Sequence, residues 1–247
     1  MTQIYENYTP ADFEVWSLLY KRQEEVLKER ASKEYLSALK SIEFSEKSIP
    51  RFTDTNKILD KATGWGIHVV PGLIPPGDFF ELLAQKKFCS STWLRKPEQL
   101  DYLEEPDMFH DTFGHVPLLV NPFYASFMKA IGEVGIKYTD NHDALTMLQR
   151  LYWFTIEFGL IREEGELRIY GAGILSSPQE SVYSLSDKPE HREFDIEPVF
   201  DTPFYKDRLQ TCYYIIDSYE QLYNSVGQID KILEERVRNG VRLKNPV

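Results

Sequence analysis

Two histidines five positions apart, His110 and His115, lie in a short segment that also holds Asp111, Gly114 and Pro117. A straight α-helix turns about 100° per residue, so positions i and i+5 do not share a face. Gly114 offers a way out of the helix at that point, and Pro117 blocks its resumption. The two imidazoles could then converge from either side of a bend. Taken alone, the spacing favours a capping histidine beside an unrelated core histidine, since short histidine pairs are common. Glu157 adds a second signal. It sits in the most apolar helical stretch of the chain, with aromatic or aliphatic residues at i−1, i+1, i−3 and i−4. A buried carboxylate costs several kcal/mol unless it is paired or metal-bound. The competing account is an ion pair with an arginine or lysine from elsewhere; Arg150 lies at i−7.

Two neutral imidazoles and one carboxylate are the donor set of non-haem Fe(II) oxygenases, which leaves positions open for O2. Catalytic zinc uses the same donors. Zinc proteases, however, space their histidines four apart with a glutamate between them, which this sequence does not do.

The elements that must position these residues are mostly helical. Thr9-Pro10-Ala11-Asp12 reads as a helix start, followed by apolar residues at helical spacing through Trp16, Leu19, Tyr20 and Leu27. Further helices are expected from Ser32 to Ile42, from Asp54 to near Gly64, from an Asp78 cap through Leu83, over 106–113, over 122–136, from Asp143 without a break to Ile161, and as an exposed charged helix over 217–238. A short strand plus a shaped loop is expected over 65–77, an extended segment over 89–95, and short strands at 167–170 and 212–216. The fold class is mainly α: one catalytic domain of packed helices over 1–247, core about 10–236, a few short β-strands, and the site in a central cleft.

Bulk composition excludes several classes. Of 247 residues 42% are hydrophobic, enough for a sizeable core, and the net charge of −11 argues against a nucleic-acid binder. No apolar run reaches the length of a membrane span, and the acidic N-terminus has no signal-peptide character. Two cysteines fit a reducing cytoplasm.

Residues 72–74, 105–118, 151–160 and 170–177, in that order and spacing, resemble the pterin-dependent aromatic amino acid hydroxylases. The likeness runs from about Tyr20 to about Leu222. It implies Fe(II) held by His110, His115 and Glu157, with tetrahydrobiopterin or a related tetrahydropterin supplying two electrons to O2. It also implies that Arg95 grips the substrate carboxylate, that Trp153 packs against the substrate side chain and that Ser176 lies near the substrate. Gly72 and Ile74 would offer backbone groups to the pterin, Phe79 would stack on it and Tyr152 would line its site. Asp111, where the family usually has Glu, would reach it through water. Two positions depart from animal members: Leu103 stands where Thr touches the substrate, and Pro76 stands in place of Ser. The chain has no length for the regulatory domain or the tetramerisation helix of animal enzymes, which implies the compact, often monomeric bacterial branch. Tryptophan hydroxylases usually have Phe at the position of Trp153. Phenylalanine is therefore the expected substrate, with tyrosine and tryptophan as alternatives and a zinc hydrolase as a remote one.

Overall fold

The computed structural model describes residues 1–101 and 105–243. Leu103 lies outside the described residues. Helix α1 (Pro10–Leu27) starts where expected: the Thr9 hydroxyl accepts from the Asp12 amide while the Asp12 carboxylate accepts from the Thr9 amide. Its buried face carries Val15, Trp16, Leu19, Tyr20, Gln23 and Leu27. Helices α2 (Lys33–Ser41) and α3 (Phe52–Thr63) follow; Gly64, at φ +76°, closes α3. Strand β1 (Gly66–Val69) leads to α4 (Pro76–Ala84) and β2 (Lys87–Ser90), and β1 and β2 pair in parallel. Helix α4 begins two residues before Asp78, which therefore lies in its first turn and does not cap it. The extended segment expected over 89–95 is ordered as a strand only up to Ser90.

Helix α5 (Pro122–Ile136) matches its expected bounds because Asn121 caps it and Pro122 occupies its first position. Helix α6 (His142–Tyr152) is capped by Asn141 through the Ala144 amide, not by Asp143. The single helix expected to reach Ile161 does not form. After α6 the chain widens into a π-turn, Trp153–Glu157, and stops; β3 (Leu160–Glu163) begins three residues later. Apolar content fits both states, and Leu160 and Ile161 are taken by cross-strand pairing with β4 (Glu166–Ile169). Short helices α7 (Ala172–Leu175) and α8 (Pro178–Tyr183), strand β5 (Glu190–Glu193), helix α9 (Ile196–Asp201), β6 (Cys212–Ile216) and α10 (Tyr219–Arg238) complete the order.

The second sheet runs β4-β3-β6-β5; β3 and β4 are antiparallel, and β6 is parallel to both its neighbours. The fold is mainly helical with few short strands, as the sequence implied. Helix α10 is not simply exposed: Tyr219, Leu222, Ser225, Ile229 and Leu233 bury one face, which packs on α5 and α6. No helix among the described residues is long and apolar enough to cross a membrane.

Candidate metal centre

His110 and His115 meet because their segment is a π-turn, His110–His115, and not because the chain bends at Gly114. The wider i→i+5 turn brings positions five apart back to one side. Asp107 supports its start: the carboxylate accepts from the His110 amide at 3.1 Å. Gly114 has a different task. A Cβ there would lie 2.8 Å from the Ala172 carbonyl oxygen, so only glycine lets α7 pack this close. The second π-turn carries Glu157 toward the same point, closed by the Phe158 amide donating to the Trp153 carbonyl at 2.8 Å.

The three side chains converge. His115 Nε2 lies 3.0 Å from Glu157 Oε1, His110 Nε2 lies 3.6 Å from Glu157 Oε2, and the two Nε2 atoms are 3.2 Å apart. Donors bound at about 2.1 Å to one ion sit about 3.0 Å apart on an octahedral face and about 3.4 Å apart in a tetrahedron. Among the described residues, this is the one group of three or more His, Cys, Asp or Glu side chains arranged to hold a metal ion.

Hydrogen bonding fixes one tautomer. Ser176 Oγ donates its only hydrogen to the Ala172 carbonyl at 2.9 Å, so it accepts from His110 Nδ1–H at 2.9 Å. The His110 Nε2 lone pair is left facing the centre, the arrangement that outer partners impose on metal-bound histidines. Electrostatics agree. Burial lowers His110 to about 4, so its ring is neutral. Burial opposes ionisation of Glu157, but the adjacent imidazoles of His115 and His110 outweigh it and hold the carboxyl below its ordinary value. A neutral His110 ring and an ionised Glu157 carboxylate are the protonation states a divalent ion requires of these two donors. His115 Nδ1 is buried without a hydrogen-bond partner. Of the remaining histidines, His68 lies on β1 beside Cys89 of β2, and His191 bonds the Ser184 carbonyl.

The sequence matches the family described as biopterin-dependent aromatic amino acid hydroxylase over residues 3–239. The chain belongs to that family. A phenylalanine-4-hydroxylase of Ralstonia nicotianae is 50% identical over 91% of this chain and 72% of its own length. One of Chromobacterium violaceum is 46% identical over 92% of this chain and 76% of its own length. A crystal structure of the Chromobacterium violaceum enzyme with bound iron(III) and oxidized 7,8-dihydrobiopterin superposes with a TM-score of 0.92 at 44% identity, covering 100% of this chain and 87% of that one.

The other residues implied by resemblance to these hydroxylases have the following surroundings. Arg95 is not a surface arginine: it is buried, with Nε and Nη2 each 2.9 Å from the Asp107 carboxylate, which also accepts from the Arg95 amide. Ser176 touches the His110 ring directly. The Trp153 ring stacks with Phe158 and Phe204 at centroid distances of 4.6 and 4.2 Å. Tyr152 lies 6.2 Å from the His115 ring and meets Phe79 edge-on at 5.1 Å. Phe80 is in the core, which leaves Phe79 as the half-exposed ring of the pair. Asp111 is partly buried, accepts from the Ser91 amide at 2.9 Å, and is pushed up to about 7 by desolvation. Gly72 and Ile74 lie in the irregular stretch between β1 and α4. A separate surface cavity lined by Arg192, Asp201, Tyr205 and Cys212 shares none of these residues.

Sequence reasoning missed Asp107 and a buried polar group behind Trp153, where Gln210 accepts from the indole N–H at 3.0 Å. Asp107 could have been found as an acid three residues before His110, a helix-start spacing. Glu180 belongs to the second group: it accepts from Tyr213 Oη and from the Gln210 amide. Burial raises its pKa above the ordinary 4.5, so its ionisation costs the folded state stability above that pH. Glu180→Gln keeps an acceptor oxygen and removes the charge. The variant is expected to melt higher than the parent at neutral pH, with the difference vanishing below about 4, where the carboxyl is protonated in both folded and unfolded chains. A lower melting temperature at pH 7 would contradict it.

Proposed function

We propose that this hydroxylase converts L-phenylalanine to L-tyrosine using Fe(II), a tetrahydropterin and O2. The observation that carries the reading is the closure of His110, His115 and Glu157 on one point, with the His110 lone pair aimed inward by Ser176. When bound, iron and reduced pterin together supply O2 activation. The chain's own residues bind, orient and shield the reactants. Arg95 keeps guanidinium N–H groups beyond those engaged by Asp107, and these suit a substrate carboxylate. Trp153 bounds the substrate ring. Phe79 and Tyr152 border the pterin, Gly72 and Ile74 offer it backbone groups, and Asp111 reaches it through water. We read the chain as a single catalytic domain with its core at about 10–236. The unpaired thiols of Cys89 and Cys212 support a cytoplasmic enzyme, and we take it as a monomer.

Anaerobic reconstitution with Fe(II), then O2 uptake with tetrahydrobiopterin and each aromatic amino acid, tests this. Tyrosine formed from phenylalanine in step with O2 consumed is the expected result. Equal or faster turnover of tryptophan would overturn the substrate. Zinc-supported hydrolysis without O2 uptake would overturn the reaction.

A further inference from the structure

We infer that Gln210 is the positioning residue that fixes the indole of Trp153 and so sets which aromatic ring the site accepts. The inference rests on the proposed place of Trp153 beside the substrate ring. Trp153 opens the second π-turn and is only half-buried. Phe158, from the end of that turn, and Phe204, from the irregular segment 202–211, stack on it at interplanar angles of 28° and 16°. Stacking resists tilting of a ring but lets it slide and rotate in its own plane. The directional contact is the indole N–H donating to Gln210 Oε1 at 3.0 Å.

Gln210 cannot yield to suit the indole. It is 3% exposed, and its Nε2 donates to the carbonyls of Tyr205 at 2.7 Å and Arg208 at 3.2 Å. Those two acceptors decide which end of the amide is nitrogen, so the oxygen must face Trp153. The Gln210 backbone amide donates to Glu180 Oε1 at 3.3 Å. One side chain therefore ties the indole to the segment that also supplies Phe204. The lateral position of Trp153, and with it the space left for a substrate ring, is set from residues 202–211 and not from its own helix turn. A phenylalanine at position 153 has no N–H to give, so the Gln210 oxygen has a use only with tryptophan there.

The test uses the iron- and tetrahydropterin-loaded enzyme and the variants Gln210→Leu, Trp153→Phe and their double. The indole 1H–15N resonance of Trp153 is assigned by its loss in Trp153→Phe. In Gln210→Leu it should move upfield and exchange faster with solvent. The KM for phenylalanine should rise about fivefold, the size of one lost hydrogen bond. The kcat/KM ratio of tryptophan to phenylalanine should also rise, with iron content unchanged. In the Trp153→Phe background, Gln210→Leu should leave that ratio where it is. An unmoved indole resonance, or the same selectivity change in both backgrounds, would overturn the role given to Gln210. If Gln210→Leu does not fold, the parent enzyme still decides: an indole N–H of Trp153 that exchanges as fast as an exposed one sinks the inference. Trp153→Phe with an unaltered KM for phenylalanine would instead refute the substrate-side placement of Trp153, whatever the resonance does.

Discussion

Glu157→Gln is expected to abolish coupled hydroxylation and to weaken iron binding on the order of a hundredfold or more, since altering outer partners of metal ligands alone costs about 10- to 100-fold. The replacement is nearly isosteric but removes the only anion among the three donors. It also turns an amide toward the imidazoles: His115 Nε2 lies 3.0 Å from Oε1 and His110 Nε2 3.6 Å from Oε2, so whichever of them meets the amide nitrogen faces an N–H donor that competes for its lone pair. Tyrosine formation and O2 uptake, followed separately, should both collapse, while circular dichroism of the metal-free protein stays that of the parent. Iron titration should show the loss directly. A variant that binds iron at full stoichiometry and forms tyrosine at the parental rate would remove Glu157 from the centre.

Much of this centre was legible because its members break the rules of their surroundings. Glu157 is an acid in an apolar stretch, and two histidines sit beside a glycine and a proline. The route by which they meet was not legible. A π-turn inserts one extra residue per turn without changing residue type, so a 3.6-residue pattern cannot register it. The same geometry accounts for two further differences: the apolar pattern predicts an unbroken helix from Asp143 to Ile161 where a π-turn ends at Glu157, and the sequence predicts a bend at Gly114, which instead serves the close approach of Ala172. Strand β5 escaped because Glu190-His191-Arg192-Glu193 is polar throughout and forms at a sheet edge through partners supplied by β6. Helix α1, α5 and the end of α3 were legible to within a few residues, because Thr9, Asn121 and Gly64 perform local chemistry. The pairs Arg95–Asp107 and Trp153–Gln210 are set by tertiary packing, the second across 57 positions, and no local pattern announces them.

Asp107→Ala is expected to be the most destabilising substitution near the centre. The Asp107 side chain is fully buried and accepts four hydrogen bonds: from the Arg95 amide, Nε and Nη2, each at 2.9 Å, and from the His110 amide at 3.1 Å. Burial opposes its ionisation, yet those bonds and the guanidinium charge hold its carboxyl below the ordinary value. Its removal leaves the Arg95 cation buried without its counter-charge, a loss of about 3–5 kcal/mol. For a chain of this length, about 2–4 °C per kcal/mol puts the fall in melting temperature near 10 °C. The π-turn loses its cap at His110 as well, so iron affinity should fall along with stability. A second variant separates packing from function. Arg95→Met with Asp107→Leu removes both charges and restores an apolar contact, so it should regain most of the lost stability, as replaced buried pairs do. It should not regain substrate affinity, because the guanidinium that would hold the substrate carboxylate is gone, and the KM for phenylalanine should stay raised at least tenfold, on the scale of a charged hydrogen bond. Recovery of a parental KM in the double variant would show that Arg95 only fills space. A melting temperature for Asp107→Ala equal to the parent's would show that the buried pair contributes nothing to the fold.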